Sequence, residues 1–323
     1  MNINFLNILC DPKTKEPLEL VDEIMNGDDI VRGKLVSKSN TYQITNSIPR
    51  FVSNEGYSNN FGNQWKRWPK VQHESENINK PMAGHTRDMF EKITELDTSV
   101  IKDKIILDVG AGTGRFVDLL YKNNTVVAID YSEAIDVLQD NCGGQSKNLL
   151  AIQGDALQLP FKDDVFDFAY SIGVLHHTPD PGLGIKNIFN CLKNDGQLAT
   201  ALYGEKSYYD FPTITLWRNI FNFTWSLFGA IPPLIYTYVF VSIIWPIGKI
   251  SKYLTYPLRL FFPIANLKDI RWAYLDTFDS ITPSYQSTHN AYQIQEYFTE
   301  AGFLNGIATN WGLTSYVAKK PSS

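Results

Sequence analysis

The chain has 323 residues, enough to bury a full hydrophobic core and to carry modules beyond a single domain of ordinary size. It holds 29 Lys and Arg against 34 Asp and Glu, a net charge of -5, which argues against DNA or tRNA as its partner. Three scattered cysteines cannot make a disulfide framework, and the start of the chain lacks a signal-peptide pattern, so we expect a cytoplasmic protein.

Short alternating apolar runs separated by turn residues predict a small β-rich unit over residues 1–53. Residues 9–13 (Leu-Cys-Asp-Pro-Lys) and 48–51 (Ile-Pro-Arg-Phe) resemble parts of a zinc-ribbon-type domain. Such a domain needs paired cysteines for tetrahedral zinc, yet Lys13 stands where the second cysteine would be, and no later pair exists. We therefore expect a metal-free docking or packing module, and no metal elsewhere in the protein.

The next segment, 54–100, has a helical pattern and is predicted to lead into an α/β core. In that core, strand patterns at 104–109, 125–130, 148–152, 165–172 and 195–203 alternate with helical patterns at 114–123, 132–140 and 182–193. The alternation predicts a mostly parallel sheet with helices on both faces. A helix at 291–301, followed by strands near 307–311 and 313–318, predicts a closing antiparallel hairpin.

A glycine-rich loop follows the first of these strands, because residues 105–116 read Ile-Ile-Leu-Asp-Val-Gly-Ala-Gly-Thr-Gly-Arg-Phe. Glycines allow a tight turn and a close approach to a ligand, and a helix opening at about Gly114 would point its amides at that ligand. Asp130 lies about twenty residues beyond the loop, where a carboxylate accepts hydrogen bonds from ribose hydroxyls. A dinucleotide loop would need glycine at position 115, where this chain has Arg115.

Four segments resemble, in the same order, the motifs of class I methyltransferases that use S-adenosylmethionine, with a type 11-like core. They are residues 107–114, 127–132, 154–161 and 164–177. The resemblance implies a Rossmann-like sheet of seven strands over residues 101–206 and 290–320, with S-adenosyl-L-methionine as cofactor. It also implies cofactor contacts from Asp108, Gly110, Ala111, Gly112, Gly114, Asp130, Tyr131, Asp155, Ala156, Ser171 and, in the helical lead-in, Gln64.

Residues 207–289 form an insertion that a minimal fold of this kind does not need. Within it, residues 219–248 contain no Lys, Arg, Asp or Glu and are long enough to cross a bilayer. A single crossing would separate the last strands from the sheet that they must join. We therefore expect either an interfacial hairpin at the inner face of the membrane, turning at Pro232 and Pro233 or near Pro246, or a cap buried against the domain or a second subunit.

Acceptor chemistry is predicted from two groups of residues. His176 and His177 follow the fourth core strand, at the carboxyl edge of the sheet, where an imidazole could deprotonate a hydroxyl. Asp279, Tyr285 and His289 lie in a stretch similar to bacterial methyltransferases of surface-polysaccharide and natural-product biosynthesis, which implies that they face the acceptor.

The predicted function is methyl transfer to a small-molecule, sugar or lipid-linked acceptor, in surface-glycan or secondary-metabolite biosynthesis. Two alternatives stay open. A non-catalytic scaffold would bind the cofactor without turnover. A tRNA-modifying enzyme is indicated only by the N-terminal module, which resembles a methyltransferase activator.

Overall fold

The computed structural model describes residues 1–52, 61–142 and 147–322, so residues 54–60 of the predicted lead-in lie outside the described residues. Across the described residues the strands form one sheet of eleven, in the order β1-β2-β3-β4-β7-β6-β5-β8-β9-β11-β10. The strands are β1 (Glu19–Asn26), β2 (Asp29–Val36), β3 (Thr41–Thr45), β4 (Ile48–Arg50), β5 (Ile105–Val109), β6 (Thr125–Asp130), β7 (Leu149–Gln153), β8 (Phe166–Ile172), β9 (Leu192–Ala201), β10 (Leu304–Thr309) and β11 (Gly312–Lys319).

Strands β5 to β11 form the seven-stranded, mostly parallel part of the sheet, and this confirms the predicted α/β class. Neighbouring strands from β7 to β9 pair in parallel, while β11 runs antiparallel between β9 and β10. The chain builds outward from β5 in both directions, to β6 on one side and to β8 on the other. In open α/β sheets, ligands bind at the point where the strand order changes direction, beyond the carboxyl ends of the strands.

Helices cover both faces of the sheet, as the alternating pattern predicts. Residues of α3, α4 and α5 pack with Ile106 on one face, and residues of α6 and α11 pack with Leu107 on the other. The helices are α1 (Phe61–Arg67), α2 (Glu74–Asn77), α3 (His85–Thr94), α4 (Val117–Leu120), α5 (Ala134–Asn141), α6 (Pro181–Cys191), α7 (Pro212–Phe228), α8 (Ile231–Ile250), α9 (Lys252–Phe261), α10 (Ile270–Ile281) and α11 (Ala291–Ala301).

The helix after the glycine loop is shorter than predicted. The sequence predicts a helix from about Gly114 to residue 123, but α4 covers only Val117–Leu120. Gly114 has a φ of +86°, in the left-handed region, so it cannot belong to a right-handed helix. The loop amides, rather than a long helix, therefore face the site.

The insertion is a bundle of helices that starts and ends at the sheet. Gly204 and His289 form a parallel bridge, so the two ends of the insertion lie side by side. Between α7 and α8 the chain turns at Gly229 and not at either predicted proline position. Prolines 232 and 233 instead lie in the first turn of α8, where a missing amide proton costs little, and the helix continues through Pro246.

The N-terminal strands are continuous with the core sheet rather than forming a separate layer. Arg50 in β4 pairs in parallel with Gln153 in β7. Its guanidinium also donates to the carboxylate of Asp136 on α5 at 2.6 and 2.9 Å. The module thus covers the edge of β7 that would otherwise be free to pair with another chain.

Asp11 organises the turn at the position of the predicted zinc knuckle. One carboxylate oxygen accepts from the amide of Lys13 at 2.8 Å and the hydroxyl of Tyr42 at 3.1 Å, and the other accepts from Ser37 and Asn40. Burial opposes ionisation, but these hydrogen bonds outweigh it and lower the pKa of Asp11 to about 2. Among the described residues no group of three or more His, Cys, Asp or Glu is placed to hold a metal ion.

We predict that Asp11→Ala destabilises the protein by about 3 kcal/mol at pH 7, because it removes several hydrogen bonds to a buried charge. The folded pKa of this carboxyl lies below its unfolded value near 3.9, so its contribution is present above about pH 4 and is lost as the pH falls towards 2. Urea unfolding should show the difference from wild type shrinking over that range. The control Asp22→Ala, which breaks an exposed pair with Lys34, should cost less than about 1 kcal/mol. Equal costs for the two variants would contradict this role.

Candidate functional site

A cavity of about 570 Å³ opens at the carboxyl ends of the central strands, a volume ordinary for small-molecule sites. Loops after β5, β6, β8 and β9 form its floor, and α1, α3, α10 and the β10–β11 hairpin form its walls. Its lining includes Trp65, Gly110, Ala111, Gly112, Arg115, Asp130, Tyr131, Ala156, Val174, His177, Tyr203, Ser207, Tyr209, Trp272, Asp276, Asp279 and Trp311.

The three loop glycines differ in role. Gly110 has a φ of +84°, and a Cβ there would lie 2.3 Å from the side chain of Val174. Gly112 has a φ of +53°, lines the cavity and faces the ring of Trp65. A Cβ at Gly114 would meet Leu138 of α5 at 2.8 Å, so this glycine permits close packing of the loop on that helix. Gly110 and Gly112 therefore shape the cavity wall, and Gly114 supports the loop from behind.

Asp130 closes the other side of the glycine loop. Its carboxylate accepts from the amide of Gly112 at 2.8 Å and from the amide and hydroxyl of Ser132. Burial raises its pKa, although these hydrogen bonds oppose the shift. Although the loop and this carboxylate are far apart in the sequence, they are in direct contact in the structure. The contact orders the loop, and the carboxylate makes this wall of the cavity acidic.

The remaining predicted cofactor residues fall into two sets. Ala111, Tyr131 and Ala156 line the cavity. In the described part of the chain, five others lie behind this lining: Asp108, Asp155, Ser171, Gly114 and Gln64.

The residues behind the lining support it. Asp108 is buried under the loop, where it accepts from the hydroxyl of Tyr170 at 2.8 Å, and burial raises its pKa to about 8. The hydroxyl of Ser171 donates to the carbonyl of Val109, and Asp155 accepts from the amide of Leu157.

Gln64 reaches the acceptor side of the cavity rather than the glycine loop. Its side-chain amide donates to Asp279 at 2.8 Å, and the hydroxyl of Tyr203 donates to the second oxygen of that carboxylate at 3.3 Å. The helical lead-in and the insertion are therefore tied together at Asp279, on the cavity wall.

The two adjacent histidines are separated by the fold. His177 lines the cavity, and its Nδ1 donates to the carbonyl of Tyr285 at 2.9 Å, which leaves Nε2 unprotonated in the neutral ring. His176 lies behind it, with its ring stacked on Tyr203 at 3.6 Å and its Nδ1 accepting from the amide of Tyr203. Burial lowers the pKa of both histidines, that of His176 most strongly, so both rings are neutral near pH 7.

Tyr285 and His289 lie away from the cavity lining in the described part of the chain. Tyr285 contributes its backbone carbonyl to His177, while its side chain is exposed. His289 bonds through Nε2 to the hydroxyl of Ser287, and its backbone amide donates to Tyr203 at 2.8 Å. Of the predicted acceptor residues, the structure thus brings His177 and Asp279 together on the cavity wall.

The cavity lining includes residues that the sequence analysis does not place in the site, among them Arg115, Tyr203, Tyr209 and Asp276. Burial, together with the charge of Asp279, raises the pKa of Asp276 to about 7 although Arg115 opposes the shift. The spacing of Asp276 and Asp279 carried a usable signal, since residues three apart share one helix face. In the sequence, Arg115 only marks the absence of a dinucleotide-type glycine, whereas in the structure it lines a cavity together with Asp130, Asp276 and Asp279.

Comparisons with known proteins agree with the motif order. The methyltransferase-domain family matches residues 107–200. Demethylmenaquinone methyltransferase of Staphylococcus aureus is 26% identical over 165 residues, covering 48% of this chain and 66% of the relative. The chain contains a class I methyltransferase domain that depends on S-adenosylmethionine.

The chain is also similar to solved structures over part of its length. The [4+2]-cyclase SpnF is 27% identical with a TM-score of 0.34, covering 40% of this chain and 48% of that one. An S-adenosylmethionine-dependent methyltransferase from Mesorhizobium loti is 20% identical with a TM-score of 0.33, covering 41% and 57%. These scores are low, and the strand order of the sheet carries the fold assignment.

The cavity of the methyltransferase domain fits its cofactor. Gly112 gives the loop a surface without a side chain, and Asp130 presents a buried carboxylate in the same wall. Such a pair suits a ligand that combines a ribose with a group held against backbone. Ala156, after β7, adds an apolar surface on the side where the resemblance expects the adenine.

We predict that Gly110→Ala destabilises the methyltransferase domain by about 2–5 kcal/mol, because it adds left-handed strain and a collision with Val174. Gly112→Ala has comparable backbone strain but makes only ordinary contact with the Trp65 ring, and should cost about 1–2 kcal/mol. Urea denaturation of both variants gives the comparison. Adding Val174→Ala to Gly110→Ala should recover part of the loss through relief of the collision. An equal cost at both glycines, with no recovery, would refute this account of the loop.

Proposed function

We propose that the protein transfers a methyl group from S-adenosylmethionine to a hydroxyl of a small acceptor that is a sugar or is linked to a lipid. The bound cofactor supplies an electrophilic methyl group on a sulfonium. The chain must then hold the acceptor in line and take its proton. The proposed setting is surface-glycan or secondary-metabolite biosynthesis in the cytoplasm.

The observation that carries the proposal is the position of Asp276 in the same cavity as the glycine loop and Asp130. A carboxylate whose pKa lies near 7 is half ionised near neutral pH and is well matched to accept a proton from a hydroxyl. Asp276 is therefore assigned as the general base. Asp279 accepts hydrogen bonds from Gln64 and Tyr203, and these bonds fix the face of α10 on which Asp276 also lies.

His177 is the second base candidate. Its Nδ1 proton is held by the carbonyl of Tyr285, so Nε2 can accept a proton. Its pKa is lowered by burial, which weakens it as a base. We therefore assign His177 to orienting the acceptor, and the two roles are separable by substitution.

The cavity supports an acceptor with a flat or ring-shaped group. Tyr203 and Tyr209 stack with centroids 3.6 Å apart, and Trp65, Trp272 and Trp311 add further aromatic surface. The hydroxyl of Ser207 lines the cavity and has no hydrogen-bond partner in the described part of the chain, so it is available to a polar group of the acceptor. The Staphylococcus aureus relative is named for a small-molecule substrate, demethylmenaquinone, and this name supports a small-molecule acceptor for the present chain.

For the cofactor half, Asp130→Ala should weaken S-adenosylhomocysteine binding by about 1–3 kcal/mol, or roughly 5- to 150-fold, because a charged hydrogen-bond acceptor is lost. Isothermal titration calorimetry measures the change. The control Asp163→Ala removes an exposed carboxylate elsewhere and should leave the affinity unchanged. No binding to folded wild-type protein, or tight binding of NAD instead, would overturn the cofactor assignment.

For the acceptor half, wild type should methylate at least one member of a panel of phenols, glycosides and polyprenyl-linked sugars, with S-adenosylhomocysteine release as the readout. Asp276→Asn should lower kcat/KM by roughly 10²- to 10⁴-fold while cofactor affinity is retained. The wild-type rate should rise with pH through an apparent pKa near 7, since the ionised form of Asp276 is the base. This rise should disappear in Asp276→Asn.

His177→Gln is the matched comparison for that experiment. It should raise KM more than it lowers kcat and should keep the pH-dependent rise. If His177→Gln removes the rise and Asp276→Asn does not, His177 is the base. Cofactor binding without turnover on any acceptor would support the scaffold alternative, and steeply salt-dependent tRNA binding would support the RNA-modifying one.

A further inference from the structure

The outward sides of α7 and α8 carry apolar stripes where a helix on a water-soluble surface is usually polar. On α7 the exposed positions include Leu216, Ile220, Phe223 and Leu227, spaced along one face. Phe223 is 79% exposed and Leu227 is 72% exposed, so these side chains are not covered by the rest of the described chain.

Helix α8 shows the same arrangement with two distinct faces. Pro233, Thr237, Val241 and Ile244 are buried, and the last two pack with Ala273 of α10. Ile231, Ile235, Val239 and Ile243 recur at every fourth position and are exposed. The inward face already satisfies the packing of the bundle, so the outward stripe has no structural role among the described residues.

Helix α9 continues this surface next to α8. Tyr253, Tyr256 and Phe261 are each more than half exposed. We call the exposed apolar side chains of α7, α8 and α9 the outer insertion surface. Exposed apolar side chains that extend over three neighbouring helices indicate an interaction site, whereas single exposed apolar residues are common on any protein surface.

Charge identifies the kind of partner. Residues 211–268 contain five basic residues, Arg218, Lys249, Lys252, Arg259 and Lys268, and no Asp or Glu. The rest of the chain holds 24 basic and 34 acidic residues, a net charge of -10. Lys249 and Lys268 are exposed, whereas Arg218 and Arg259 are half-buried and donate to backbone carbonyls within the insertion. An aromatic and apolar surface that carries exposed lysines and no acidic residue, on an otherwise acidic protein, is complementary to an anionic lipid surface. A second copy of the chain would bring like charges together and is disfavoured.

Topology limits how deep the contact can go. Helix α8 is the one described helix that is long and apolar enough to cross a membrane by length and composition. Within the insertion, however, α10 returns to the cavity with Asp276 and Asp279, and after the insertion β11 pairs with β9. Both ends of the insertion thus remain on the same side, which excludes a single crossing by α8.

We propose that the outer insertion surface binds the headgroup region of an anionic bilayer, with α7, α8 and α9 lying in its plane. Helix α10 packs against α8 on one side and lines the cavity on the other, so membrane binding would place the cavity one helix away from the lipid.

Flotation of the full chain with vesicles tests this directly. Wild type should float with vesicles of phosphatidylglycerol and phosphatidylcholine and bind at least tenfold more weakly to phosphatidylcholine alone. Binding to the anionic vesicles should fall as salt rises from about 0.1 to 0.5 M, because the Debye length shortens. Failure to float, or equal binding to both vesicle types, would overturn the proposal.

The double variant Phe223→Glu with Ile235→Glu should lose binding by at least tenfold, because two outward apolar side chains become charged. The matched control, Ile24→Glu with Val100→Glu, makes the same change at exposed apolar positions outside the insertion and should keep most of the binding. Unchanged S-adenosylhomocysteine affinity shows that each variant is folded.

Light scattering completes the test. A wild-type dimer that the Phe223 and Ile235 variant converts to a monomer, without vesicle binding by either, would assign the surface to a second copy and refute the proposal. Vesicle binding is measured without methyl transfer. A protein that floats but never methylates therefore contradicts only the proposed function.

Discussion

The position of β5 at the centre of the sheet is the constraint on which both halves of the site depend. Because β6 and β8 diverge to either side of it, the loops at its carboxyl end are held apart and a cavity remains between them. The chain must turn sharply there, and Gly110 makes that turn directly against Val174. The contact from the Gly112 amide to Asp130 then ties the loop after β5 to the end of β6.

The insertion converts this open crevice into an enclosed site. Its two ends lie side by side at the bridge between Gly204 and His289, and α10 between them forms part of the cavity wall. Helix α10 supplies the carboxylates, and Gln64 from the helical lead-in holds Asp279. Desolvation by this cover raises the pKa of Asp276, so the same packing that closes the site prepares its chemistry.

Local patterns predicted the core well because strand and helix periodicities and the glycine loop are short-range properties. The bounds of β5 and β6 were predicted to within one residue, whereas the hydrogen bond from the Gly112 amide to Asp130 was not predicted. The length of α4 was not predicted, since it depends on the left-handed φ of Gly114, at a position where the backbone lies close to Leu138 of α5. Likewise His176 and His177 are equivalent in the sequence, and only burial separates the ring that lines the cavity from the ring behind it.

The amino-acid sequence by itself determined the α/β class, the order of the cofactor motifs and the presence of an uncharged insertion, because each depends on residue type and spacing along the chain. Tertiary structure alone decided that β4 extends the core sheet, that Asp276 and Arg115 share a cavity with the glycine loop, and which sides of α7 and α8 stay uncovered. These are contacts between residues far apart in the chain. Their energies arise from burial and pairing that no local pattern records.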